Sequence, residues 1–159
     1  MGSIAIGQPV PDIELLTTDD QSMRFSDLAG KNIVLYFYPK DNTPGCTVEG
    51  QDFRDSFEEF RKLNTEILGV SRDSIKSHEG FRSRNSFPFD LVSDTSGSLC
   101  ELFDVIREKK LYGKKYMGIE RSTFIIDRTG ILRHEFRGVK VDGHVAHVLT
   151  TLRSLPAHG

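Results

Sequence analysis

The sequence predicts a mixed α/β fold, in which helices cover both faces of a central β-sheet. Two observations lead to this prediction. Residues 33–38 are an apolar run without alternation, which is typical of a strand buried on both faces, and residues 66–71 predict a second buried strand. Each run is followed by a segment with helical spacing, and an antiparallel hairpin and one further helix complete the pattern.

The N-terminal segment predicts a β-hairpin that extends the sheet. Residues 10–17 form an edge strand in this interpretation, residues 18–21 form its turn, and residues 22–25 return as a short second strand. A helical turn over residues 26–30 follows, because this segment begins with a capping serine and ends with a glycine.

Alternating helices and strands fill the middle of the chain. The first buried strand is followed by an amphipathic helix from residue 47 to about residue 63. After the second buried strand we expect a polar helix over residues 74–86, capped by Asp73 or Ser74, and a short strand over residues 89–93. The next helix is short and contains Leu99, Leu102 and Phe103.

The last part of the chain completes the fold prediction. Residues 107–116 are rich in lysine and predict a basic loop. Residues 122–127 and 131–137 form a hairpin around a Thr-Gly turn, and residues 143–155 form the final helix. This order of elements, with a cysteine at the start of the first long helix, is the layout of a thioredoxin-like fold.

Length and composition favour a globular protein without a nucleic-acid or membrane partner. The 159 residues fit one domain, 1–159, and the net charge of −2 gives no basis for binding nucleic acid. No apolar run approaches the roughly 20 residues of a membrane span, and the N-terminus lacks the features of a secretory signal. We therefore expect a cytoplasmic protein, whose two cysteines do not make a disulfide framework.

Cys46 is the residue with the clearest chemical potential. It follows a loop that begins directly after the first buried strand, and it stands at the start of the predicted long helix. Unpaired N–H groups and the positive end of the helix dipole favour a thiolate at such a position. Since the thiolate is the nucleophilic form, we expect a reactive cysteine here.

The residues around Cys46 carry a family resemblance. Pro39, Thr43 and Cys46 match the P-x-x-x-T-x-x-C motif of the peroxiredoxins, and the wider string at 36–49 resembles their bacterioferritin comigratory protein subfamily, also called peroxiredoxin Q. Three later segments also resemble this subfamily, namely residues 68–74, 88–94 and 118–124. The resemblance covers nearly the whole chain and implies a thioredoxin-like fold.

This resemblance implies a thiol-dependent peroxidase that reduces hydrogen peroxide and organic hydroperoxides. Cys46 would attack the peroxide and become a sulfenic acid, which is the first product of thiol oxidation. Thr43 would donate its hydroxyl hydrogen to the peroxide while accepting from a neighbour, and Arg121 would stabilise the thiolate and orient the substrate. Pro39 would pack over the thiolate and shield it from water.

Further residues of the motif would support this chemistry. Pro44 stiffens the loop, and the N–H of Gly45 is a hydrogen-bond donor at the helix start. By family analogy Glu49 would hold the arginine, while on the residues alone it is an acid that complements the helix dipole. Lys40 is a candidate for an additional positive charge. No metal, haem or flavin cofactor is implied.

The sequence leaves the second half of the reaction open. Resolving cysteines of the family occur at two positions, which are Gln51 and Arg82 here. Cys100 could be a buried core residue, or it could resolve Cys46 after local unfolding of its helix. We prefer a one-cysteine cycle, in which thioredoxin, glutaredoxin or a small thiol reduces the sulfenic acid.

Other functions have less support in the sequence. A thioredoxin-like disulfide oxidoreductase is disfavoured because Thr43 stands where the first cysteine of C-x-x-C would be. A redox sensor or holdase that uses Cys46 as an oxidation switch is an alternative. His144 and His147 lack further ligands, so we expect no metal site. The basic stretch could attract anionic reductants or substrates. We expect a monomer, with a dimer as the alternative.

Overall fold

Nine β-strands occur in residues 4–155, the part of the chain that this computed structural model describes. In chain order they are β1 (Glu14–Thr17), β2 (Gln21–Arg24), β3 (Asn32–Phe37), β4 (Thr65–Ser71), β5 (Asp90–Ser93), β6 (Ile106–Leu111), β7 (Lys114–Ile119), β8 (Ser122–Ile126) and β9 (Leu132–Arg137). Seven of these form one mixed sheet in the order β2-β1-β5-β4-β3-β8-β9, and β6 pairs with β7 in a separate ribbon.

Five α-helices and a short 3₁₀ helix accompany the strands in the same residues. They are the 3₁₀ helix Phe25–Leu28, α1 (Pro44–Asp55), α2 (Phe57–Lys62), α3 (Ile75–Asn85), α4 (Ser98–Leu102) and α5 (His144–Ser154). β3 pairs in parallel with β4 and antiparallel with β8, so it lies inside the sheet as its apolar sequence predicts.

Two apolar clusters lie on the two faces of this sheet. Successive residues of a strand point to opposite faces, and β3 divides its side chains accordingly. Val34 and Tyr36 pack in the cluster that contains Cys46 and the apolar side of α5. Leu35 and Phe37 pack in the other cluster, under α4. The predicted sheet with both faces covered, and the predicted N-terminal hairpin, are therefore present.

Two predictions of local structure were wrong. β1 is not an edge strand, because it lies between β2 and β5 and Thr17 pairs with Val92. The predicted basic loop is the β6–β7 hairpin, which turns at Tyr112 and Gly113. Both of these turn residues have positive φ, at 52° and 78°, as the tight turns that match strand twist require.

The predicted long helix begins earlier than expected and is divided in two. Pro44 is its first residue, since a proline at that position loses no helical hydrogen bond and already has a helical φ. Ser56 interrupts the helix with φ and ψ of −103° and 8°. The interruption separates α1, which packs against α3 and α5, from α2, which packs against β4.

Two helix glycines make matched tests of this packing. A Cβ at Gly50 in α1 would overlap the ring of Phe87, whereas a Cβ at Gly80 in α3 would meet only the flexible end of Arg84. We expect Gly50→Ala to lower the free energy of unfolding by about 1–3 kcal/mol. Gly80→Ala should raise it by about 1 kcal/mol. Urea unfolding followed by circular dichroism measures both, and equal effects would contradict the packing described here.

Candidate active site

Cys46 lies in the first turn of α1, where the sequence predicts it. Thr43 is the N-cap residue with an extended backbone, and Pro44 and Gly45 are the first two helical residues. The Cys46 side chain belongs to the apolar cluster around Tyr36, and the residue is 1% exposed. The thiol is therefore held at a helix N-terminus, on the α1 face of the sheet.

The Thr43 hydroxyl has a hydrogen-bond partner in the loop that precedes it. Its Oγ1 donates to the backbone oxygen of Lys40 at 2.9 Å. A hydroxyl has a single hydrogen, so while this bond is made the oxygen can only accept from any other group. Thr43 also makes no side-chain capping bond, which leaves the N–H groups of Gly45 and Cys46 without partners from that hydroxyl.

Arg121 reaches Cys46 from the sheet. It precedes β8, and its Nη2 donates to Cys46 Sγ at 3.5 Å, while Nη1 donates to Glu49 Oε1 at 2.5 Å. Its side chain is 16% exposed, so the guanidinium is largely withdrawn from water. A Cβ at Gly45 would lie 3.1 Å from Nη2. Gly45 therefore gives the guanidinium room to approach the helix start.

Glu49 is the buried partner of this arginine. It lies one helical turn after Cys46, and its side chain is fully buried. Burial raises the pKa of Glu49 to about 7, and the nearby Arg121 opposes that rise. Among the described residues, Glu49 Oε2 and Tyr36 Oη are buried without a hydrogen-bond partner. A proton on Oε2 leaves Oε1 free to accept from the guanidinium.

Cys100 is not brought near Cys46. It lies in α4 and packs with Leu35 and Phe37 on the opposite face of the sheet. Its backbone N–H donates to Asp94 at 2.8 Å. Burial raises the pKa of the Cys100 thiol well above its usual range, and the neighbouring Asp94 carboxylate adds to the rise. This environment favours the unreactive thiol form.

The two positions of family resolving cysteines have structural contacts instead. Gln51 donates to the Asn85 side chain at 3.0 Å, which links α1 to α3. Arg82 donates to the backbone oxygen of Phe89 at 3.1 Å and pairs with Asp19. Both side chains thus connect elements of the fold.

The remaining candidates divide between site and core. Pro39 is half-buried and Lys40 is exposed, both in the loop before Cys46. His144 is buried, with Nε2 2.8 Å from Thr123 Oγ1, and burial lowers its pKa to about 4. Such a histidine belongs to the core. It has no group of further metal-ligating side chains around it in the described part of the chain.

The basic hairpin β6–β7 flanks the site. Arg72, at the end of β4, donates to the backbone oxygen of Met117 at 3.0 Å and so connects the hairpin to the sheet. The pKa of Lys109 is lowered, chiefly by burial and then by the Arg121 guanidinium. The hairpin therefore brings a second cation toward the arginine of the site.

Sequence reasoning missed a buried polar network beside the loop. Asp41, Asp73 and His78 have ligand atoms within 4.8 Å of one another, and they are joined to protein donors and acceptors. A buried tyrosine usually finds a partner for its hydroxyl, so Tyr38 could have directed attention to this place. The polar sequence of the helix predicted over residues 74–86 contains no signal that identifies His78 as a buried residue.

Comparison with known proteins identifies the family. Residues 6–135 match the AhpC/TSA family model. Peroxiredoxin Bcp of Bacillus subtilis (strain 168) is 52% identical over 153 residues, which are 96% of this chain and 98% of that protein. The chain belongs to the AhpC/TSA family. Within it, this peroxiredoxin is also 53% identical over 126 residues to Peroxiredoxin Bcp of Xanthomonas campestris pv. campestris, covering 79% of both chains.

Solved structures agree with this assignment. A peroxiredoxin Q variant from Xylella fastidiosa has a TM-score of 0.91 at 42% identity, with 97% of this chain and 98% of that one covered. The Xanthomonas campestris bacterioferritin comigratory protein, studied for alkyl peroxide reduction, has a TM-score of 0.85 at 47% identity, with 89% and 90% covered. The predicted thioredoxin-like fold and peroxiredoxin Q subfamily are confirmed.

No helix within residues 4–155 combines the length and the apolar character that a bilayer crossing requires.

The individual roles given to Cys46, Thr43, Arg121 and Pro39 stay predictions. Thr43 and Cys46 lie together at the start of α1, and Arg121, directly before β8, contacts Cys46.

The burial of Glu49 predicts a specific pH dependence of stability. Its pKa rises from 4.5 to about 7 on folding, so the unfolded chain loses this proton first as pH increases. The stabilisation that the protonated Glu49 gives the folded state is present below pH 4.5 and is lost as pH rises toward 7. The free energy of unfolding of Glu49→Gln, relative to that of the unmodified protein, should therefore rise by on the order of 3 kcal/mol over this interval. Chemical unfolding at several pH values measures this difference.

Glu58→Gln in α2 is the matched control. A hydrogen bond from Arg61 lowers the pKa of the exposed Glu58. The free energy of unfolding of Glu58→Gln should therefore fall, relative to that of the unmodified protein, as pH rises. A pH-independent difference for Glu49→Gln would mean that the carboxylate stays ionised beside Arg121 across the whole interval.

Proposed function

We propose that this peroxiredoxin reduces hydrogen peroxide and organic hydroperoxides through Cys46. One observation carries the proposal. The Cys46 thiol lies in the first turn of α1, with the Arg121 guanidinium 3.5 Å from Sγ. A helix N-terminus and a fixed cation together favour a nucleophilic thiolate and the negative charge that develops on peroxide oxygen.

The proposed reaction uses the groups around Sγ in distinct ways. The thiolate attacks one peroxide oxygen, an S–O bond forms, and the O–O bond breaks with its electron pair on the departing oxygen. Arg121 and the N–H of Gly45 or Cys46 donate to the oxygens as this charge develops. The peroxide hydroxyl donates to Thr43 Oγ1, whose own hydrogen is directed to Lys40. Proton uptake gives an alcohol or water, and Cys46 becomes a sulfenic acid.

Glu49 would hold Arg121 in place during this step. Its Oε1 accepts from Nη1 while Nη2 remains directed at Sγ. Because the planar fork of arginine has several donors at fixed angles, one side chain can serve both partners at once. Pro39, half-buried at the start of the loop, would limit access of water to the thiolate.

The second half of the cycle would use an external thiol. A thiol attacks the sulfenic sulfur and releases water, and a second thiol then breaks the mixed disulfide and restores Cys46. The location of Cys100 across the sheet supports this one-cysteine cycle over an internal disulfide. Thioredoxin, glutaredoxin or a small thiol could be the reductant, and a cytoplasmic location would supply all three. We propose a monomer as the working form.

The single-turnover reaction tests both the nucleophile and the cycle. One equivalent of hydrogen peroxide should add one oxygen to the reduced protein, leave the Cys100 thiol titratable, and have the same effect on Cys100→Ser. Cys46→Ser should not react. Intact mass and thiol titration give these results. A loss of two hydrogens with both thiols consumed would instead show an internal disulfide, and reaction no faster than a free thiol would favour the redox-switch alternative.

The arginine is tested by a conservative substitution. Arg121→Lys keeps a cation beside Glu49 but loses the fork that reaches Sγ at the same time. We expect the second-order rate of Cys46 oxidation to fall by about 10²-fold, which is typical when one preorganised donor is removed. Arg133→Lys, at an exposed ion pair with Asp127, is the control and should react at the unmodified rate. Equal rates for both variants would remove Arg121 from the mechanism.

A further inference from the structure

A buried polar network holds the loop between β3 and α1, and the chemistry described above does not use it. At its centre is the Asp41 carboxylate, which is 1% exposed. Tyr38 donates its hydroxyl hydrogen to Oδ1 at 2.6 Å, and Ser77 donates to Oδ2 at 2.8 Å. His78 Nδ1 lies 2.7 Å from Oδ2. The loop is therefore attached at Asp41 to the end of β3 and to α3.

Both ring nitrogens of His78 have a partner within hydrogen-bond distance. His78 Nε2 is 2.8 Å from the backbone oxygen of Val92, which can only accept, so Nε2 carries a hydrogen. Nδ1 and Asp41 Oδ2 could not lie 2.7 Å apart as two acceptors, so a second proton lies between them. This hydrogen bond offsets the free-energy cost of burying both groups.

The same network fixes the backbone that leads to Thr43. The Asp41 N–H donates to Asp73 Oδ2 at 2.9 Å. Asn42 follows with a left-handed backbone at φ 64°, and its side-chain oxygen accepts from Arg84 Nη2 at 2.7 Å. The two residues that immediately precede Thr43 are thus held by α3 and by the segment that leads into it.

Lys40 connects this network to the peroxide site. Its carbonyl accepts the Thr43 hydroxyl hydrogen, and the planar peptide unit joins that carbonyl to Asp41. The direction of the Thr43 lone pairs therefore depends on where Asp41 is held. We propose that Asp41 and His78 are positioning residues, which orient Thr43 toward the peroxide through the Lys40 carbonyl. This inference rests on the proposed function of Cys46.

Two substitutions at Asp41 distinguish the hydrogen bonds that hold the loop from the carboxylate itself. Asp41→Ala removes the acceptor from Tyr38, Ser77 and His78. Asp41→Asn keeps the shape, since its oxygen can accept from Tyr38 and its NH₂ group can donate to Nδ1 of a neutral His78 and to the Ser77 oxygen. The asparagine variant thus preserves the network without the shared proton.

The rate of Cys46 oxidation by hydrogen peroxide, measured by quenched flow and intact mass, is the decisive readout. We expect Asp41→Ala to slow it by about 10²-fold, as a displacement of about 1 Å in a reacting geometry does. Asp41→Asn should recover most of the rate. Alkylation of Cys46 by iodoacetamide does not use Thr43, so it should proceed at the unmodified rate in both variants.

Val148→Ala is the control for lost stability, because Val148 is a core residue of α5 outside the network. It should oxidise at the unmodified rate. If Asp41→Ala does not fold, Ser77→Ala takes its place, since it removes one donor to Asp41 and should also slow peroxide oxidation without slowing alkylation.

The outcomes distinguish this inference from the function on which it rests. Peroxide rates in Asp41→Ala, or in its Ser77→Ala substitute, equal to that of the unmodified protein would overturn the positioning role. An equal slowing of peroxide oxidation and alkylation would do the same, because it would indicate a general disturbance of Cys46. If the unmodified protein itself does not oxidise at Cys46, the proposed function fails instead.

Discussion

The Arg121 guanidinium is the contact on which the site depends. It bridges Cys46 Sγ and Glu49 Oε1, and both of these partners belong to α1 while the arginine lies directly before β8. The contact therefore fastens the helix to the strand and places a positive charge beside the thiol in one interaction. Burying Glu49 is unfavourable by itself, and the arginine offsets part of that cost. A Cβ at Gly45 would lie 3.1 Å from Nη2, so a side chain there would require a small shift of a guanidinium that is already bonded to two partners.

β3 organises the surroundings of this contact. Its alternating side chains divide the core, so that Phe37 faces α4 while Tyr36, and Tyr38 directly after the strand, face α1 and α3. Tyr38 continues into the polar network at Asp41. The strand thus packs beneath Cys46 through Tyr36 and leads directly to Tyr38, which bonds Asp41 in the loop before Cys46. The chemistry of Cys46 depends on packing that begins several residues earlier in the chain.

The sequence predicts the parts of this protein whose signals are local. The buried runs at β3 and β4, the β8–β9 hairpin and the helix start at Cys46 each have a clear pattern over a few residues. The β6–β7 hairpin was missed because its strands are largely exposed and lysine-rich, with no buried face to reveal them. The Asp41–His78 contact joins residues 37 positions apart, and no local pattern encodes it. The hydrogen bond from the Thr43 hydroxyl depends on where the Lys40 carbonyl points, which only the folded loop defines.

The separation of the two cysteines by the sheet has a consequence for the lifetime of the oxidised protein. In the proposed cycle, no thiol within the chain captures the Cys46 sulfenic acid, because Cys100 lies behind a layer of strands. The lifetime of that species is then set by the concentration of reducing partners around the protein. When those partners are scarce, a second peroxide can carry Cys46 on to the sulfinic acid, which thiols do not reverse. In this cycle the concentration of external thiols therefore determines how much of Cys46 escapes irreversible oxidation.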